Sequence, residues 1–190
     1  MISCKPLSHA RGIALVSSML LLLIITVLAI GMFRTLGVQE KIAGNLREKE
    51  RALHAATTAQ QFAEWWLATG NNAARPPVTC DGTVLNANLG QGQICSNRLT
   101  SVASPPLRVG NAEGGVTFNP GQTMNITTTS GRDTYYKTPR FYIADLGVSA
   151  DATGEVYQID AVGYGATASA VAVVESTFAV RMGVIDRGGP

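Results

Sequence analysis

Few residues in this 190-residue chain have side chains suited to acid–base, nucleophilic or metal chemistry: two histidines, His9 and His54, and three cysteines, Cys4, Cys80 and Cys95. A general base must lie within hydrogen-bond reach of the proton it takes, and a nucleophile needs such a base beside it. His54 lies in a helix-forming stretch close to Arg51 and reads as a solvated or interfacial residue. A structural zinc site needs four clustered ligands, which these residues cannot supply. Gly163-Tyr164-Gly165-Ala166-Thr167-Ala168 fits the G-x-G-x-x-A dinucleotide fingerprint, but the 22 residues after it are too few for a βαβ unit with an acidic ribose partner. The cluster reads instead as glycines at a strand-to-turn transition. Asn125-Ile126-Thr127 matches a glycosylation sequon, a common chance match. The sequence therefore predicts no catalytic residues, no metal site and no cofactor.

The cysteines carry a different message. Cys80 and Cys95 are 15 residues apart in a polar, Gly-rich segment, the pattern of a loop staple formed in an oxidising compartment. Two unpaired thiols are the alternative. Cys4 has no obvious mate and precedes the Arg11-Gly12 junction, where a long uncharged run begins. Loss of residues 1–12 would remove the odd cysteine. It would also remove Lys5 and Arg11, which account for the formal +2 charge and leave 13 basic against 13 acidic residues. A neutral chain has no basic stripe, so nucleic acid is not an expected partner.

The elements around these residues follow from periodicity. Ile13–Phe33 is a run of 21 residues without a charge, long enough to span a lipid bilayer as a helix. It exceeds the roughly 7–15 residues of a secretory signal core. Ala29-Ile30-Gly31 leaves a conventional signal-peptidase site as the alternative. Basic residues flank the run on both sides, and the positive-inside rule mildly favours a cytoplasmic C-terminal part; the cysteine pair argues for the opposite, which we adopt.

From Ile13 to about Thr69 there is no proline and the composition favours helix. After Arg34 the pattern becomes amphipathic, with Ile42, Leu46, Leu53, Ala56, Ala63 and Leu67 on one face, broadened by Ala59, Phe62 and Trp66. Gly31, Gly37 and Gly44 within it invite close helix approach or local bending. The Trp65-Trp66 pair reads as core and helix-to-sheet packing. Gly70-Asn71-Asn72 caps the helix.

Residues 71–114 read as an irregular connection holding both cysteines, its ordered part closing at Pro105-Pro106. Strand signals follow at Gly115–Phe118, Thr123–Thr129, Arg140–Leu146, Glu155–Gly163 and Ala170–Val180, separated by turns at Gly121-Gln122, Gly131–Asp133 and Asp151–Gly154. Along the fourth, Tyr157, Ile159 and Ala161 face one way and Val156, Gln158 and Asp160 the other. The runs leave no room for crossover helices, so residues 115–190 form an antiparallel sheet region and the fold class is α+β.

Three stretches resemble a known family, the PilX group of type IV pilus minor pilins. "RGIALVSSMLLLLIITVLAIGMF" resembles a class III prepilin leader junction and transmembrane start. "QEKIAGNLREKERALHAATTAQ" is similar to the PilX N-terminal signature, with Ala43-Gly44-Asn45 its most specific part. "VYQIDAVGYGATASAVAVVESTFAV" resembles the C-terminal strands of the group. The resemblance covers about the first 60 residues and the last 25, and Asn71 to Thr153 matches nothing recognisable.

This resemblance implies a type IV pilin-like fold, with a long N-terminal helix packed on an antiparallel sheet and a disulfide-stapled loop. Residues 1–12 would be a leader cut by prepilin peptidase between Gly12 and Ile13, with methylation of the new Ile13 amine. Residues 13–33 would form the transmembrane half of the helix and 34–70 its amphipathic half. The chain would wait in the inner membrane, N-terminus cytoplasmic and C-terminal part periplasmic, and then enter an extracellular pilus. Implied partners are other minor pilins and the major pilin, prepilin peptidase, the inner-membrane assembly platform, the lipid bilayer and a tip adhesin.

Most pilins carry glutamate five residues after the cut, thought to pair with a neighbour's N-terminal amine. Here that position is Ser17, which cannot neutralise an amine. The expected role is to prime fibre assembly at or near the tip, supporting twitching motility and adhesion. Alternatives are a tip pseudopilin of a type II secretion system, or an adhesive module carried on the pilus.

Overall fold

A computed structural model describes residues 10–120, 126 and 134–181, with backbone alone for 10–12 and 34–36. The chain divides into two compact units at Asn45/Leu46. One helix, α1 (Ala10–Ala68), contributes to both. Its first part is long and apolar enough to cross a bilayer, and none of its most apolar stretch is buried within the chain. The helix ends where expected. Gly70 adopts φ +62°, a left-handed conformation that costs glycine little, and the Asn72 side chain donates to Trp66 O at 2.8 Å.

The second unit is built on a five-stranded sheet. Its strands are β1 (Leu85–Asn86), β5 (Val116–Thr117), β6 (Arg140–Val148), β7 (Gly154–Tyr164) and β8 (Val171–Arg181), in the order β1-β5-β6-β7-β8. Apart from the two-residue edge strand, all neighbours are antiparallel, as the short connections require. β1 departs from expectation by pairing parallel to β5, Leu85 with Val116. Residues 71–114 are a correction too. They hold β1, a 3-10 turn at Ala87–Leu89, and a second sheet of β2 (Ser101–Ala103), β3 (Pro106–Val109) and β4 (Ala112–Glu113). This small sheet supplies the crossover that a parallel pair needs without a helix. Pro106 opens β3 rather than closing the ordered part; proline is tolerated at a strand's first residue because no ladder N–H is needed there.

The strand signal at Thr123–Thr129, the sequon within it, and the turns at Gly121-Gln122 and Gly131–Asp133 lie outside the described residues, apart from the buried Ile126. So do Cys4 and His9.

Strand alternation sorts the core into two layers as the pattern of β7 predicts. Tyr157, Ile159 and Ala161 join Phe141, Ile143 and Val116 against Ala59, Ala63, Trp66 and Leu67 of α1. On the other face Val162 and Tyr164 join Tyr142 and Ala144 under Leu107, Cys80 and Cys95.

The helix stripe is narrower than its periodicity suggests. Ala52, Ala55, Ala56, Ala59, Ala63 and Leu67 are buried, while Ile42, Leu46 and Leu53 are exposed. Small alanines let the helix approach the sheet closely, and that closeness excludes the leucines from the contact. The closest point is Gly163. A methyl group there would fall inside van der Waals contact of Ala52 O and Ala56 N. The glycine cluster that mimics a dinucleotide motif therefore serves helix–sheet packing. Of the tryptophan pair, only Trp66 is core; Trp65 is 58% exposed.

Candidate functional site

The candidate site is the N-terminal helix, and three parts of it are informative. The first is its apolar start. Ile13 is 73% exposed, and the large apolar residues from Leu15 to Phe33 are exposed throughout. Three hydroxyl residues interrupt this surface, and each side chain is satisfied by its own helix. Ser17 Oγ donates to Ala14 O at 3.0 Å, Ser18 Oγ to Leu15 O at 2.8 Å and Thr26 Oγ1 to Leu23 O at 2.8 Å. In lipid an unpaired hydroxyl costs several kcal/mol, by the general scale of about 2–7 kcal/mol for an uncompensated polar group. Local back-bonding removes that cost, so this surface makes no polar demand on a partner. A glutamate at position 17 would impose one, because a carboxylate has no such donor along a helix.

The second part is Ala43-Gly44-Asn45. All three residues are exposed, and a methyl group added at Gly44 would meet nothing within 4 Å. Nothing in the described fold explains a glycine at this helix position, where it costs about 1 kcal/mol against alanine.

The third part, Glu48 to Ala52, clasps the helix to the sheet. Glu48 Oε2 accepts from the backbone N–H of Ala166 at 2.6 Å, in the turn between β7 and β8. Its other oxygen accepts from Arg51 Nη1 at 2.9 Å. Arg51 Nη2 donates to Thr134 O at 3.2 Å, and the guanidinium lies 4.6 Å from the centre of the Tyr135 ring. Lys49 Nζ donates to Val171 O at 3.1 Å. The Ala166 amide, with smaller contributions from Arg51 and Arg47, holds the Glu48 carboxyl below its ordinary range against the opposing effect of burial. Sequence reasoning missed this clasp. The i,i+3 spacing of Glu48 and Arg51 was readable, but a partner 118 residues away was not.

Two further charged residues, neither singled out by the sequence, are buried in the sheet. Asp160 is 2% exposed, opposite Tyr142 on β6 and Glu175 on β8. Among the described residues its one side-chain donor is Gln158 Nε2, at 3.2 and 3.3 Å, which also donates to Glu175 Oε1 at 3.1 Å. Burial pushes the Asp160 carboxyl up to about 6, with the Gln158 bond opposing and the Glu175 charge adding. Arg140 is equally buried; its Nη1 donates to Gly114 O at 3.0 Å and approaches Glu113 at 3.5 Å.

The cysteine pair is bonded, Cys80 to Cys95, with a Cα–Cα separation of 5.5 Å. It staples the loop to the sheet, because Cys95 N donates to Ile143 O and Asp145 N donates to Cys95 O, both at 2.8 Å. Tyr142 Oη reaches Asn97 O at 2.7 Å beside it. His54 is exposed on α1. Among the described residues no group of three or more His, Cys, Asp or Glu side chains is placed to hold a metal ion. Gly12 and Ile13 lie within α1, and no side-chain geometry is described for residues up to 12.

The described residues comprise an exposed apolar helical segment in the first unit and a disulfide-stapled α+β fold in the second. Comparison with curated proteins finds no match, and comparison with solved structures finds none. Residues 11–59 match the family model described as PilX N-terminal, a segment that contains Ser17, Ala43-Gly44-Asn45 and the Glu48 clasp. Over that quarter of its length the chain is similar to the N-terminal segment of PilX-family type IV pilins.

Proposed function

We propose that this chain is a minor pilin that primes type IV pilus assembly and resides at or near the fibre tip. Prepilin peptidase cuts between Gly12 and Ile13, and the Ile13 amine is methylated. The mature subunit is held in the inner membrane by residues 13–33, with the disulfide-bonded unit in the periplasm. It then passes from lipid into a bundle of like helices formed with other minor pilins and the major pilin. That transfer is feasible because lipid tails and Leu/Ile-rich helices are about equally apolar, so packing decides.

The observation that carries the reading is Ser17, whose hydroxyl is satisfied by Ala14 O within its own helix. A subunit in mid-fibre sits below a neighbour's N-terminal amine and needs an anion for it. A subunit that starts the fibre has no such neighbour. The exposed Ala43-Gly44-Asn45 patch fits the same picture, since its small surface has no role inside the described fold.

Deleting the gene and counting surface pili tests the reading. Loss of most pili, with restoration by the wild-type chain in trans, is the expected result. Normal pilus number with lost attachment would favour an adhesive role instead, and normal piliation with failed protein secretion would favour a secretion pseudopilin.

A further inference from the structure

The two edges of the main sheet differ sharply. β1, at one edge, has only two residues, and shortness is an ordinary defence against unwanted strand pairing. β8, at the other, has eleven and pairs only with β7 among the described residues. Its register against β7 runs without a bulge from Gly154–Arg181 to Tyr164–Val171. The strand contains no proline, glycine or lysine, and is rich in valine. Its charged side chains are Glu175 near the middle and Arg181 at the end, and among the described residues no bulge or proline interrupts it. Among the described residues only its first residue is engaged from outside the sheet through the backbone, where Lys49 Nζ reaches Val171 O.

The side chains along this edge are incompletely covered. Val174, Phe178 and Val180 face the helix layer but are only half-buried, and Phe178 and Val180 flank the core cluster there. On the opposite face Glu175 stands across from Asp160, two acids sharing the single Gln158 amide, and neither makes an ion pair among the described residues. Like charges directly opposite on neighbouring strands are destabilising. A cation on one more strand would relieve that opposition, and that strand would complete the cover of Phe178 and Val180.

We propose that the outer edge of β8 receives an extended segment of a neighbouring subunit in the same assembly, added as a further strand with a lysine or arginine opposite Glu175. The identity of the neighbour rests on the pilin reading; the strand-accepting edge does not. Main-chain hydrogen bonds would supply the affinity of such an addition, and the Glu175 pairing its register.

The test places a photo-crosslinking benzophenone residue at Thr177 in the full-length chain, expressed in its own host, with a second probe at the hairpin-tip residue Asp151 as control. Both positions are exposed. Crosslinked peptides are identified from purified fibres by mass spectrometry. The expected result is a Thr177 crosslink to another pilus subunit and none from Asp151. Glu175→Lys should lower the crosslink yield roughly five- to tenfold by placing like charges opposite one another. The same change should raise or preserve Tm, because the new lysine faces Asp160, and this separates lost docking from lost folding. Three outcomes would overturn the proposal. One is a crosslink confined to the chain's own residues; another is no crosslink from a chain that is present in fibres; the third is a yield unaffected by Glu175→Lys. A chain absent from fibres altogether would remove the neighbour and contradict the pilin reading with it.

Discussion

Ser17 and Asp160 show how single residues carry this account. At Ser17 the argument concerns charge in lipid. Ser17→Glu places a carboxylate where the wild-type hydroxyl is internally satisfied. If an uncharged site matters to initiation, pilus number on cells carrying Ser17→Glu should fall by several-fold. Wild-type piliation would make residue identity there irrelevant.

Asp160 yields a pH prediction with a definite sign. Its carboxyl titrates near 6 in the folded chain against an ordinary 3.8. The folded state therefore holds the extra proton between those values, and stability falls as pH rises through that window. Asp160→Asn should stabilise the protein at pH 7 by roughly 1–3 kcal/mol, the span of a one- to two-unit shift, and remove the slope between pH 4 and 6. Denaturant unfolding at pH 5 and pH 7 measures it. Equal stability of mutant and wild type at pH 7 would contradict the burial cost. Glu48 acts in the opposite direction. Its depressed value stabilises above the ordinary 4.5 and is lost as pH falls further, so it opposes the Asp160 slope only at about pH 4.5 and below. Glu48→Gln, which weakens a charge-assisted bond to Ala166, should cost about 1 kcal/mol at pH 7.

At the scale of elements, helix–sheet contact is made through small residues. Gly163 meets the helix backbone at Ala52 and Ala56, so neither side can yield without moving a whole element. Gly163→Ala should destabilise by about 2 kcal/mol or more, measured by thermal or denaturant unfolding. A cost below about 0.5 kcal/mol would mean that the helix can lift from the sheet. The loop staple belongs to this scale as well. Closing a 15-residue loop is worth roughly 3 kcal/mol in the chain-entropy model, so a Cys80→Ser, Cys95→Ser double variant should lose stability of that order.

These elements also mark where the sequence was readable. The α1 helix, its Gly70 cap, the strands β6 to β8 and the two faces of β7 followed from periodicity and turn residues, because each is decided by local geometry. The cysteine pair followed from spacing and compartment. The stripe on α1 was overdrawn because periodicity weighs leucine above alanine, whereas the Gly163 approach selects alanine. The short strands of residues 71–114 were missed because two- to four-residue strands leave no alternation to read, and their pairings are set by tertiary contact. The Glu48–Ala166 clasp and the buried Asp160 were invisible for the same reason. Each depends on a strand brought up from more than a hundred residues away or from across the sheet.

For the whole molecule, the likeness of residues 11–59 to the PilX N-terminal model and the disulfide-stapled α+β unit are consistent with a pilin-like fold. The apolar helix with no outward polar demand supports a start-of-fibre role. On the proposed reading residues 1–12 are removed before the chain enters a fibre, and the role proposed for Ser17 counts from that cut. The most direct test is therefore the intact mass and N-terminal peptide of the chain recovered from membranes or sheared fibres. The account predicts a terminus at Ile13 carrying a methylated amine. A terminus at Met1, or one near Met32 from conventional signal cleavage, would contradict it.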